Sequence, residues 1–112
     1  MAAVAVNNFR TITHVLDTGA AEEIYTAPTG YTSVFLLLQV TNTDSTARTV
    51  NLNHVRSSTV TELLKDYPIA DSDSLDLLPG KLVLQTGDKI SVSGSAGSVL
   101  KLVASVLETS NF

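Results

Sequence analysis

Two histidines, His14 and His54, are the only imidazoles in the chain, so a transition-metal site would need both, together with carboxylates such as Asp17 or Glu62. They have no local ligand spacing and fall at strand-like positions, so each is expected to be a partly buried or interface histidine with one hydrogen bond. Asp71, Asp73 and Asp76 crowd the run DSDSLD, but it lacks the glycine and distal glutamate of a helix-loop-helix calcium loop. Asp and Ser there are expected to form turns. Ser57 or Ser58, His54 and an aspartate supply the inventory of a nucleophilic triad, yet no Gly-x-Ser-x-Gly elbow occurs. Glu22 and Glu23 are adjacent on a strand and point to opposite faces, which suits neither general acid nor general base partnership; an inward one would meet an arginine at an interface. The run Gly94-Ser95-Ala96-Gly97 lacks the lysine and following helix of a phosphate loop and is expected to be a hairpin turn. These residues imply no enzyme, metal or cofactor.

The elements that must position these groups follow from composition and periodicity. A chain of 112 residues is expected to form one domain with a real core, and the absence of cysteine excludes a disulfide framework or a thiolate metal site. Charged residues are only 16% of the chain, well below the usual quarter, which suits a protein whose faces are covered by neighbours. A net charge of -4 with scattered lysines and arginines gives no basic patch, so nucleic acid is not expected as a partner. No apolar run is long enough to cross a bilayer as a helix, and the first ten residues lack the leading positive charge of a signal peptide. No membrane partner is expected.

Residues 1–9 read as an N-terminal arm and residues 10–112 as a single β domain. Strands are expected over residues 10–16, 20–26, 31–41, 47–56, 60–65, 75–78 and 99–108. A β-hairpin is expected over 82–92, where Gln85-Thr86-Gly87-Asp88 supplies the turn chemistry. The apolar run Phe35-Leu36-Leu37-Leu38 marks a central strand covered on both faces, and Pro68 marks a strand edge or end. Eight or nine strands at intervals of about ten residues, with no convincing amphipathic helix, define an all-β antiparallel sandwich of jelly-roll type. Tyr31 and Tyr67 are expected as sandwich-edge anchors.

Three segments, EEIYTAPTGYTSVFLLLQVTNTDSTARTVNL, LLKDYPIADSDSLDLLPGKLVLQTGDKISVSGS and VLKLVASVLE, together resemble small all-β virion structural proteins of tailed bacteriophages, including cyanophages. The resemblance covers roughly residues 20–108. It implies a non-enzymatic part of the virion: most directly a capsid decoration (cement) protein, a homotrimer that binds the major capsid protein on the outer head surface and bridges neighbouring subunits. Tail or baseplate accessory proteins share this appearance and are the first alternative. A carbohydrate-binding module, with Tyr31 and Tyr67 as contact residues, is the second. The apolar side chains of the arm, Met1, Val4, Val6 and Phe9, are expected to clamp the partner.

Overall fold

Residues 100–110 place apolar Leu100, Leu102, Ala104 and Val106 at every second position, and in the computed structural model, which describes residues 7–17 and 20–111, they become the strand on which one sheet is built. Nine strands occur among the described residues: β1 (Asn7–Val15), β2 (Glu22–Thr26), β3 (Tyr31–Asn42), β4 (Arg48–Arg56), β5 (Thr59–Ile69), β6 (Ser74–Asp76), β7 (Leu82–Leu84), β8 (Lys89–Gly94) and β9 (Leu100–Ser110). They form two antiparallel sheets. Sheet 1 has the order β1-β9-β3, with β6 and β7 both pairing the far side of β3; sheet 2 has the order β2-β8-β4-β5. The last strand thus lies between the first and third, and the eighth between the second and fourth, the interleaving of a jelly roll.

That interleaving overturns two expectations. Residues 82–92 are not a hairpin: β7 pairs β3 in sheet 1, whereas β8 pairs β2 and β4 in sheet 2. The turn residues do form a tight turn, with the Asp88 amide donating to the Gln85 carbonyl (2.9 Å). However, the corner is tied to Ala27 through both its amide and carbonyl, so the chain passes from sheet to sheet. The segment after Gly94 likewise joins β8 in sheet 2 to β9 in sheet 1 and is no hairpin turn. Turn chemistry specifies a reversal of direction, and the partner of the outgoing strand is chosen by the rest of the sheet. Among the described strands, only β4 and β5 are consecutive strands paired directly with one another.

The first strand also starts earlier than residue 10. Asn7, Asn8 and Phe9 stand in the β1–β9 ladder opposite Thr109, Glu108 and Leu107, so the arm's boundary at residue 9 moves back; Met1, Val4 and Val6 lie outside the described residues.

The inward residues fill one core. Leu100, Leu102, Ala104 and Val106 of β9 meet Val50 and Leu52 of β4 and Ile90 and Val92 of β8, with Phe35, Leu38 and Val40 of β3 beside them. The four-residue apolar run of β3 has a specific cause: the register against β9 shifts between Phe35 and Leu37, so Leu36 is an extra residue in a bulge and Phe35 and Leu38 both point inward. At one end the fully buried Asn42 organises the loops, its amide shared among the carbonyls of Thr46, Ile69 and Ala70 while its carbonyl oxygen accepts from the Asp44 amide. On the outer face of β4, Asn51 donates to Ser93 on β8 and accepts from the Asp66 amide on β5, stitching three strands together.

Gly94, at the end of β8, is packed closely against side chains of sheet 1. A Cβ there would overlap the Leu100 side chain and touch Leu16 Cδ1 at 3.6 Å, and both leucines are fully buried. Gly94→Ala is therefore expected to cost about 1–3 kcal/mol in denaturant unfolding. Gly80→Ala, with nothing within 4 Å of the added carbon, should stay within about 0.5 kcal/mol of the parent and serves as the control.

Candidate functional site

Two buried carboxylates set the polar geometry of the sandwich. Glu108 points inward from β9 and is only 5% exposed. Its Oε2 accepts from Tyr25 Oη (2.5 Å) and Arg10 Nη1 (2.9 Å), and its Oε1 accepts from Asn8 Nδ2 (3.2 Å). Because the single tyrosine proton goes to the carboxylate, Ser33 Oγ is the donor in its 2.7 Å bond to Tyr25. The Tyr25 ring also meets Phe35 edge-to-face, with centroids 5.3 Å apart, and Arg10 lies 5.9 Å from its centre. Burial, reinforced by the bond to Glu108, pushes the Tyr25 phenol from 10.0 up to about 12. Burial pushes the Glu108 carboxyl upward, but the donors from Tyr25, Arg10 and Asn8 together outweigh it and hold the carboxyl below 4.5.

Asp88, 1% exposed, is the counterpart at the β7–β8 corner. Arg56 grips it with Nε (2.8 Å) and Nη2 (2.7 Å), His54 Nε2 donates at 3.1 Å, and the Gln85 amide donates at 2.9 Å. The guanidinium fork holds the Asp88 carboxyl far below the usual carboxylate range, against the upward push of burial. An open cavity of about 400 Å³ lies beside this pair, lined by His54, Arg56, Ser57, Thr59 and Thr61. The Ser, His and Asp of the triad inventory thus come near one another around His54, but His54 is bonded to Asp88 and makes no bond to Ser57. His14 is held likewise, its Nε2 donating to Glu22 Oε2 at 2.9 Å; the inward glutamate of the Glu22-Glu23 pair meets a histidine, where an arginine was expected. That bond, with the Asp17 amide, lowers the Glu22 carboxyl. Asp73 and Asp76 accept backbone amides of Ser74 and Leu78 as turn residues, and no group of three His, Asp or Glu gathers among the described residues.

The two outer faces of the sandwich differ in kind. Sheet 2 presents Glu23, Lys89, Asn51, Asn53 and Glu62, with Glu23 and Lys89 paired at 3.1 Å. Sheet 1 presents a row that crosses four strands in register: Phe9 of β1 faces Leu107 of β9, which faces Val34 of β3, which faces Val83 of β7. Phe9 is 71% and Val83 56% exposed, and Leu36 of the bulge adds to the same face. Thr11, Thr13 and Ser105 continue it without charge, and Lys101 and Asp76 come only toward its other end. The outer face of sheet 2 also carries Val55 and Val60, the latter 55% exposed, but the sheet 1 row crosses four strands, the kind of apolar continuity that suits an interaction surface. Asn8 and Arg10, held inward by Glu108, fix the parity of β1 that turns Phe9 outward.

Of the residues expected to bind a partner, Phe9 lies on this surface. Tyr31 begins β3 opposite Ser110, whereas Tyr67 is on β5 opposite Val50, in the other sheet and toward the other end, so the two tyrosines form no common platform. Val34, Val83 and Leu107 were not legible as a site, because each is an ordinary strand residue until four strands are aligned. No family model matches the chain, and no curated protein matches it.

The polar clusters set a pH window. Glu108 and Asp88 are held below 4.5 and 3.8, so the stability they contribute is present above those values and is lost as pH falls through the lower folded values. Tyr25 is raised, so its contribution is present below pH 10.0 and is lost as pH rises toward 12. Denaturant midpoints are expected to be flat between about pH 5 and pH 9 and to fall on both sides. Tyr25→Phe should remove the alkaline loss and cost about 1–3 kcal/mol at neutral pH by stripping a donor from the buried carboxylate. Glu108→Ala, which leaves the buried Tyr25 hydroxyl without its acceptor while Arg10 stays hydrated, should cost about 1–3 kcal/mol.

Proposed function

We propose that this chain is a non-enzymatic structural protein of a bacteriophage particle, a capsid decoration protein that docks on the major capsid protein at the outer head surface and stabilises it by bridging subunits. The observation that carries the reading is the uncharged apolar row Phe9, Leu107, Val34 and Val83 on one face of the sandwich. Such a face recognises a partner by shape and apolar burial, which suits a protein present in many identical copies on a repeating surface. In the cavity beside His54, the lining His54 and Arg56 are engaged with Asp88 and the remaining lining residues are hydroxyls. The location on the head comes from the sequence resemblance described above.

Removing residues 1–9, which would test an arm alone, would also delete Asn8 from the Glu108 cluster, so the informative truncation stops at residue 6. The sharper test replaces Phe9 and Val83 together with Asp. The variant is expected to keep its unfolding transition within about 1 kcal/mol of the parent, since both side chains are exposed. It should lose binding to particles stripped of the protein, measured by co-sedimentation. Full binding by the double variant would sink the proposal. Immunogold label on intact particles is expected over heads; label confined to tails would replace decoration with the tail-accessory reading.

A further inference from the structure

The four free sheet edges are not equally protected. In sheet 2, β2 is five residues long, carries Glu22 and Glu23, and shifts register between Glu23 and Tyr25. At the opposite edge, β5 shifts register twice against β4, contains Pro68 and Lys65, and has Asp66 at φ 49°. In sheet 1, β6 and β7 are three residues each, with Pro79 and Gly80 between them. These are the devices by which sheets discourage pairing with another chain: short strands, charges, proline and bulges. β1 has only one of them, the inward-turned charge of Arg10; its nine residues otherwise run opposite β9 without a register shift and include no Pro, Gly, Lys, Asp or Glu. Its two basic side chains are turned inward and held, Arg10 by Glu108 and His14 by Glu22. Among the described residues no strand lies on its outer edge.

The backbone of that edge can be assigned. The Leu16 amide donates to Leu100 across the β1–β9 ladder, so with an unbroken register the even-numbered residues of β1 bond β9. Phe9, Thr11, Thr13 and Val15 therefore turn their N–H and C=O groups to the open side. We propose that β1 pairs antiparallel with β1 of a second copy about a two-fold axis at Ile12, joining two sheet 1 units into one continuous sheet. In this register Phe9 faces Val15 of the second copy, Thr11 faces Thr13, and Ile12 faces itself. The opposed pairs at 9–15 and 11–13 are those whose backbones both point across the junction, so each exchanges two hydrogen bonds. Three kinds of pair that meet are favoured cross-strand neighbours, an aromatic with a β-branched residue, threonine with threonine and isoleucine with isoleucine, and where Arg10 faces His14 each basic group already has its own carboxylate, Glu108 or Glu22. Phe9 and Val15 are both exposed large hydrophobics in the single chain, at 71% and 49%, and this register brings them together twice. The pairing uses up both β1 edges, so it closes as a dimer and does not extend into a fibre. It also aligns the two apolar outer faces side by side, though it depends only on the edge and is independent of what those faces dock on.

The test uses the full chain alone, without particles. Sedimentation velocity across a concentration series is expected to show a species of twice the 11.8 kDa chain mass. Hydrogen exchange should show the amides of Phe9, Thr11, Thr13 and Val15 gaining protection as concentration rises. Thr11→Pro removes an N–H that faces the open edge and not β9, and Thr13→Lys places a charge at the junction. Both variants are expected to be monomeric where the parent is dimeric, with unchanged circular dichroism and cooperative unfolding; if the proline variant fails to fold, the lysine variant carries the test alone. A parent that stays monomeric, a trimer of the kind the resemblance implies, or a dimer that Thr13→Lys leaves intact would each overturn the inference. Protection of these amides in a monomer would overturn it too, by showing the edge covered by the chain itself.

Discussion

A carboxylate inside a β-sandwich must be satisfied or it destabilises the fold by several kcal/mol, and the burial of Glu108 is the constraint around which this molecule closes. Its donors come from separate strands: Asn8 and Arg10 from the first, Tyr25 from the second, with Ser33 of the third completing the chain of bonds. Since Tyr25 belongs to sheet 2 and the others to sheet 1, the cluster fastens the two layers. It also holds β1 in one register, because a slip of one residue would withdraw Arg10 and turn Phe9 into the interior. A functional surface on the outside is thereby set by a polar contact on the inside.

Asp88 does similar work at the corner between β7 and β8. A tight turn there, closed in part by the Gln85 amide, reverses the chain, but the Arg56 fork and His54 bind the corner to β4 and hold β8 in the second sheet. The two clusters differ in exposure to solvent. Arg10 and Arg56 are both about half exposed, so each ion pair couples a buried anion to a hydrated cation, which lowers the desolvation cost of the pair. The molecule is polar where its layers are joined, apolar across one outer face and unprotected along one edge. That combination suits a part made to be assembled with others.

Much of the fold was legible before any coordinates. Period-two alternation in residues 99–108 located the strand that organises sheet 1, and the run Phe35 to Leu38, apolar on both faces, marked a central strand, although the bulge at Leu36 that turns both Phe35 and Leu38 inward was not visible in it. The role of Asn51 on β4, bridging to Ser93 and Asp66, needed the neighbouring strands. The hairpins expected at residues 82–92 and 94–98 failed for a common reason. Glycine and aspartate report local backbone geometry, and nothing in a local window reports which sheet receives the next strand.

The sequence by itself determined that this is an all-β sandwich without cysteine chemistry or a basic surface, because strand periodicity and composition are local or additive properties. Only the tertiary structure decided the features that bear on function. Glu108 and Tyr25 are separated by 83 residues, and Phe9, Val34, Val83 and Leu107 become one row only when β1, β9, β3 and β7 lie in register. Whether an edge is open is likewise a property of the assembled sheet: β1 carries no mark of exposure in its own residues, and it became an edge because β9 and β3 filled the sheet beside it.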